Sequence, residues 1–121
     1  KFASGTEKLI GELPKFLGAL KDQGHRLAAY GAAAKGVVLT NACKLGTDYL
    51  DFVADRSAYK QGHLMPGTHL PVVSPEELLA RQPDDVVVLA WNFFEEIARQ
   101  LKPYKDAGGR FIVPVPWPQF R

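Results

Sequence analysis

The segment Ala29-Tyr30-Gly31-Ala32-Ala33-Ala34-Lys35-Gly36 joins an apolar run to small residues through a glycine and carries one lysine. A strand that stops at Gly31, followed at once by a helix, aims free backbone N–H groups and the positive end of the helix dipole at one point. That arrangement suits an anion such as phosphate, with Tyr30, Gly31, Ala32, Ala33 and Lys35 around it. Lys35 falls in the first turn of the helix, where a cation opposes the dipole and is better explained by a neighbouring anion. The spacing meets neither nucleotide motif: Ala33 stands where G-x-G-x-x-G needs its second glycine, and no Ser or Thr follows a Gly-Lys pair. A plain packing turn, in which small residues only let the helix approach the sheet, is the alternative.

Asp55 closes the next apolar run, roughly twenty residues downstream, where a Rossmann fold sets a carboxylate on a ribose hydroxyl. Capping a turn, or pairing with Arg56, explains it equally well. From Asp55 to His63 the chain is dense in donors, and Tyr59, Lys60 and Gln61 cluster in a way that solvation alone does not explain. His63 and His69 lack a third ligand nearby, a poor zinc set, so no metal is expected on this chain. His69 is a candidate general acid or base, because imidazole titrates near neutral pH. No nucleophile accompanies it, so a polar contact or a cap fits it as well. Trp91-Asn92 offers an aromatic face beside a helix start, suited to a ring and a polar group, and Asn92 is also placed to cap that helix. Cys43, flanked by apolar positions inside a helix, reads as core.

At 121 residues and 46% hydrophobic, the chain is long enough for one globular domain with a real core and too short for two. Its 15 basic and 13 acidic side chains nearly balance and form no cluster of one sign. A nucleic-acid or membrane-surface role therefore has no electrostatic basis, and a small-molecule partner is expected. One cysteine excludes an internal disulfide and a cysteine-rich zinc site, in keeping with a reducing cytoplasm. Nothing resembles a signal peptide, and no apolar stretch approaches the roughly 20 residues that span a bilayer. Because the chain enters a helical pattern directly at Lys1, it is expected to be a piece excised from a larger protein.

These residues need elements to hold them. Leu9, Leu13, Phe16, Leu17 and Leu20 recur at helical spacing, with Ser4 and Glu7 as a capping box, a bend at Pro14 and Gly24 as the close. A strand over Arg26–Tyr30, a helix over Ala33–Leu45 ended by Gly46, and a strand over Tyr49–Ala54 follow. Asp55–His69 has no apolar period and reads as a long loop. Leu70–Val73 is a third strand, and Ser74-Pro75-Glu76-Glu77 starts a helix with serine at the cap and proline at the first position. Val86–Ala90 reads as a strand buried on both faces, then a helix over Phe93–Leu101 with Asn92 and Glu95 as its box, broken before the last strand by Gly108-Gly109. Phe111–Val115 is the fifth strand, after which Pro114–Pro118 leaves the sheet as an extended tail. Alternation of strand and helix predicts an α/β, Rossmann-like, doubly wound parallel sheet of about five strands in the order 3-2-1-4-5. Its switch point then lies between the strands that end at Tyr30 and Ala90.

Taken together, Ala28–Gly36, Asp55-Arg56-Ser57-Ala58-Tyr59-Lys60-Gln61-Gly62 and Pro66-Gly67-Thr68-His69-Leu70-Pro71 resemble the C-terminal domain of S-adenosylmethionine-dependent sugar C-methyltransferases. Val86–Asn92 and Gly108–Pro116 match that family's closing pattern, so the resemblance covers nearly the whole chain. It implies that residues 1–121 are one Rossmann-like domain, preceded in the full enzyme by a zinc-binding N-terminal segment and a central domain for S-adenosylmethionine. It further implies that this domain helps hold a nucleotide-linked keto-deoxysugar, docks on the preceding methyltransferase domain, and is inactive alone. Arg56, Tyr59, Lys60, Gln61, Trp91 and Asn92 would then join Asp55 and the Gly31 turn in binding substrate. Two other roles remain open from sequence: a regulatory module that binds a dinucleotide, and a structural domain for assembly.

Overall fold

The computed structural model describes residues 2–121, with side chains from residue 11 onward. Helix α1 spans Phe2–Asp22 and contains Pro14 without interruption. It begins ahead of Ser4, so the expected capping box is not its start, and the Ser4 and Glu7 side chains lie outside the described ones. Leu13, Leu17 and Leu20 are buried. Gly24 ends α1 as expected: at φ +89° it lets His25 N–H reach back to the Leu20 carbonyl at 3.1 Å.

The sheet has six strands, β1 (Leu27–Tyr30), β2 (Val53–Ala54), β3 (Val72–Val73), β4 (Asp85–Val88), β5 (Arg110–Val113) and β6 (Gln119–Phe120), in the order β3-β2-β1-β4-β5-β6. The first five are parallel, and β6 runs antiparallel to β5. Side chains of a strand alternate between faces, and the core divides accordingly. Leu27, Ala29, Val87, Leu89 and Ile112 pack with α1 and with α2 (Ala34–Ala42). Ala28, Tyr30, Val86, Val88 and Phe111 pack with α3 (Pro75–Arg81), α4 (Phe94–Gln100) and α5 (Lys102–Asp106). Helices thus cover both faces of a mostly parallel, Rossmann-like sheet whose switch point falls between β1 and β4.

Strand bounds shift from the sequence reading, β3 starting at Val72 rather than Leu70, β4 ending at Val88 rather than Ala90 and β5 at Val113 rather than Val115, and four further differences have a visible cause. Helix α2 ends at Ala42 rather than Leu45, because Lys44 takes the left-handed conformation (φ 55°) and Leu45 N–H bonds the Thr40 carbonyl at 2.8 Å. The second strand is only Val53–Ala54, since Gly46 to Leu50 form turns in which Tyr49 and Leu50 N–H groups share the Gly46 carbonyl. Asn92 is not a cap: Trp91–Phe93 form a 3-10 turn, and neither it nor α4 has a side-chain cap bond. The tail does not leave the sheet. After the proline-rich turn it pairs Ile112 with Phe120 and Val113 with Gln119, adding the sixth strand.

Candidate functional site

Three elements meet where β1 and β4 end. Gly31 turns the chain out of β1 at φ +104°, a conformation strained for any side chain, and a Cβ there would lie 3.3 Å from Cβ of Ala90. Gly36 is needed for a second reason: a Cβ would stand 2.8 Å from the Gly31 carbonyl oxygen and 3.0 Å from Leu89 Cβ, so only glycine lets α2 lie this close to β4. Ala33 supplies no side-chain cap to α2. The N–H groups of Ala34, Lys35 and Gly36 begin the helix and have no intrahelical acceptor. Lys35 Nζ stands over the Trp91 ring, 5.6 Å from its centroid, bridging the two sides of the switch point.

Asp55 turns back onto the glycine turn. One carboxylate oxygen accepts the Ala32 N–H at 2.6 Å and the other accepts the Ser57 N–H at 2.8 Å. Lys60 Nζ donates to the Ala32 carbonyl at 3.1 Å, so both backbone polar groups of Ala32 are held by the β2–β3 loop. Gln61 donates to the Asp55 carbonyl at 2.8 Å. Of the sequence alternatives for Asp55, the structure places it as a turn-capping carboxylate; Arg56 pairs instead with Glu96, at 3.9 Å across the crevice.

The remaining candidates separate. Tyr59, on the same loop, is 92% exposed. Tyr30 is buried among the residues that face α4, its hydroxyl 3.5 Å from Gln100 Oε1, and burial, with Asp55 nearby, raises its pKa above the usual phenol value. Trp91 is half-buried and Asn92 exposed. His69 is exposed, in a left-handed conformation (φ 62°), within the hairpin closed by the Leu64–Pro71 bridge. Asn41, in the last turn of α2, donates to Pro66 in that hairpin, at the opposite end of α2 from Lys35. His69 is therefore not brought to the crevice.

Sequence reasoning missed a groove of about 350 Å³ beside Trp91, in which Phe93, Glu95, Arg99 and Arg121 also stand. Arg121 reaches it only because β6 folds back, pairing with Glu95 at 3.6 Å and stacking on Phe94 at 4.8 Å. No local pattern marks that return; the i, i+4 spacing of Glu95 and Arg99 is a signal that could have shown a charged helix face there. Among the described residues no group of His, Cys, Asp or Glu could hold a metal ion, and no helix is long and apolar enough to cross a membrane.

A Rossmann-like α/β sheet with a charged, aromatic-edged crevice at its switch point defines the class of protein. The particular family follows from comparison with known sequences: the chain belongs to the C-methyltransferase C-terminal domain family, whose model matches residues 1–116. It is similar to the C-methyltransferase NovU of Streptomyces niveus, 38% identical over 119 residues that take in 98% of this chain and 28% of that protein. The chain thus spans well under a third of the length of that relative.

Proposed function

We propose that residues 1–121 form one domain that holds the nucleotide-sugar substrate of an S-adenosylmethionine-dependent C-methyltransferase, which methylates a carbon of an activated keto-deoxysugar or a related small molecule. The carrying observation is Lys35 poised over Trp91 beside the uncapped first turn of α2. A cation and free helix N–H groups suit the diphosphate, and an aromatic face suits a ring. Lys35 leaves Trp91 for the phosphate when substrate enters, and the ring it uncovers packs on the ligand. The exposed Tyr59 and Phe93 at this edge face the preceding methyltransferase domain, so the working site is shared. In this reading the methyl donor and a zinc ion belong to parts of the cytoplasmic enzyme outside the chain, and no residue here is assigned to either.

In the full-length protein, Lys35→Ala raises KM for the nucleotide sugar about tenfold or more, the loss of a charge-assisted contact, while kcat changes little. Steady-state methyl transfer to several dTDP-linked keto-sugars reads this directly, and an unchanged KM for all of them removes the phosphate role.

A further inference from the structure

We propose that Asp55 is the specificity determinant of the switch point: its carboxylate stands where the pyrophosphate of a dinucleotide would bind and keeps anions off the Gly31 turn. In dinucleotide-binding Rossmann folds, the amides of the first turn and the helix start receive the pyrophosphate, and the acid after the second strand reaches the ribose. Here the acid has taken the phosphate's place, bonded to Ala32 N–H at 2.6 Å. It is fixed there. Its second oxygen holds Ser57 N–H, its carbonyl accepts from Gln61, and its own N–H bonds the Val73 carbonyl at 3.0 Å. Behind the turn, Gly31 lies against Ala90, close enough that even a methyl group added to it would press on the Ala90 Cβ at 3.3 Å. A ligand anion is left with the outer positions, the first-turn amides of α2 and Lys35, which a dinucleotide laid across the turn cannot use alone. The inference rests on Asp55 and not on the nucleotide-sugar reading.

The test titrates inorganic pyrophosphate into the full-length protein by calorimetry, for the wild type, Asp55→Asn and Asp55→Ser, each also in a Lys35→Ala background. Removing the carboxylate raises pyrophosphate affinity at least about tenfold in both backgrounds, the size of a hydrogen bond to a charged group. Folded variants whose affinity stays within about twofold of the wild type overturn the proposal. The wild type is read independently by amide exchange: Ala32 N–H exchanges at least about tenfold more slowly than Ala34 N–H, with or without millimolar pyrophosphate. An Ala32 amide that exchanges as fast as Ala34, or that gains protection only with pyrophosphate, also overturns it. A gain at Asp55 combined with an unchanged KM in Lys35→Ala keeps this inference and discards the nucleotide-sugar role.

Discussion

Cys43 follows α2 with its thiol buried in the same apolar cluster as Leu39, Leu45 and Leu50. Burial disfavours the thiolate and pushes its pKa from 9.0 up to about 11. Nucleophilic chemistry needs the thiolate, so alkylation of the native protein by iodoacetamide at pH 8 should be far slower than that of the urea-unfolded chain. The same shift has a pH signature. Below pH 9 both states carry the proton and the favourable burial is intact; between 9 and 11 the unfolded chain ionises first, so stability falls as pH rises. Its share of the loss is on the order of 2–3 kcal/mol across that window, and Tyr30 and Tyr104, both raised mainly by burial, push the same way at higher pH. Urea midpoints that stay flat from pH 8 to 11 contradict this. At this scale the sequence reveals type and place but not direction. The place of Lys35 in the first turn of α2 was legible, because the small-residue turn marks where that helix starts. Asp55 was not, because a carboxylate after a second strand can swing to a ribose, an arginine or a turn amide, and only its rotamer decides.

Local elements were legible where one short segment holds all of its own physics. Ser74 accepts the Glu77 N–H at 3.1 Å, Pro75 occupies the first helical position, and Glu76 and Glu77 sit at the positive end of α3. Ser74→Ala should therefore lower unfolding free energy by about 1 kcal/mol, with Ser74→Asp close to wild type; equal stability of all three proteins shows that the cap contributes nothing. The order of the five parallel strands was legible for a similar reason, since parallel crossovers through helices leave few topologies. Elements settled by one residue's backbone conformation or by distant partners were not. Lys44 ends α2 without a glycine, Pro103 divides the last helical stretch into α4 and α5, and β6 exists because Phe120 finds the Phe16 ring at 5.4 Å and the Arg110 guanidinium at 4.0 Å. Both partners lie on other elements, so nothing in Pro114–Pro118 announces them.

Across the whole molecule, polar groups divide between the two ends of the sheet, and the amino end explains what holds the carboxyl end in place. Asp85 is fully buried at the start of β4. His25, just before β1, approaches one of its oxygens with Nδ1 at 2.6 Å, and Arg110, which opens β5, donates to the other at 2.9 Å. Arg110 in turn stacks on Phe120, so one carboxylate links the β1, β4 and β5 starts and, through Arg110, the returning strand β6 that carries Arg121 to the crevice groove. A buried carboxylate with both oxygens bonded is costly to disturb, because its removal empties a dry position at the start of β4, although His25 and Arg110 are part-exposed and can turn to water. Asp85→Ala should lower unfolding free energy by about 2–3 kcal/mol, since its partners are part-exposed, whereas Arg121→Ala, which breaks a largely exposed pair with Glu95, should change it by less than about 1 kcal/mol. Asp85 is linked to β6 through Arg110, and asparagine keeps an oxygen for that arginine, so an Asp85→Asn enzyme that remains folded at low temperature should keep the wild-type KM for the nucleotide sugar proposed as substrate. Urea titration of the three variants and steady-state kinetics of the last decide the matter: an Asp85→Ala cost near that of Arg121→Ala means the cluster does not hold the sheet, and a raised KM in folded Asp85→Asn means the amino end reaches the crevice after all.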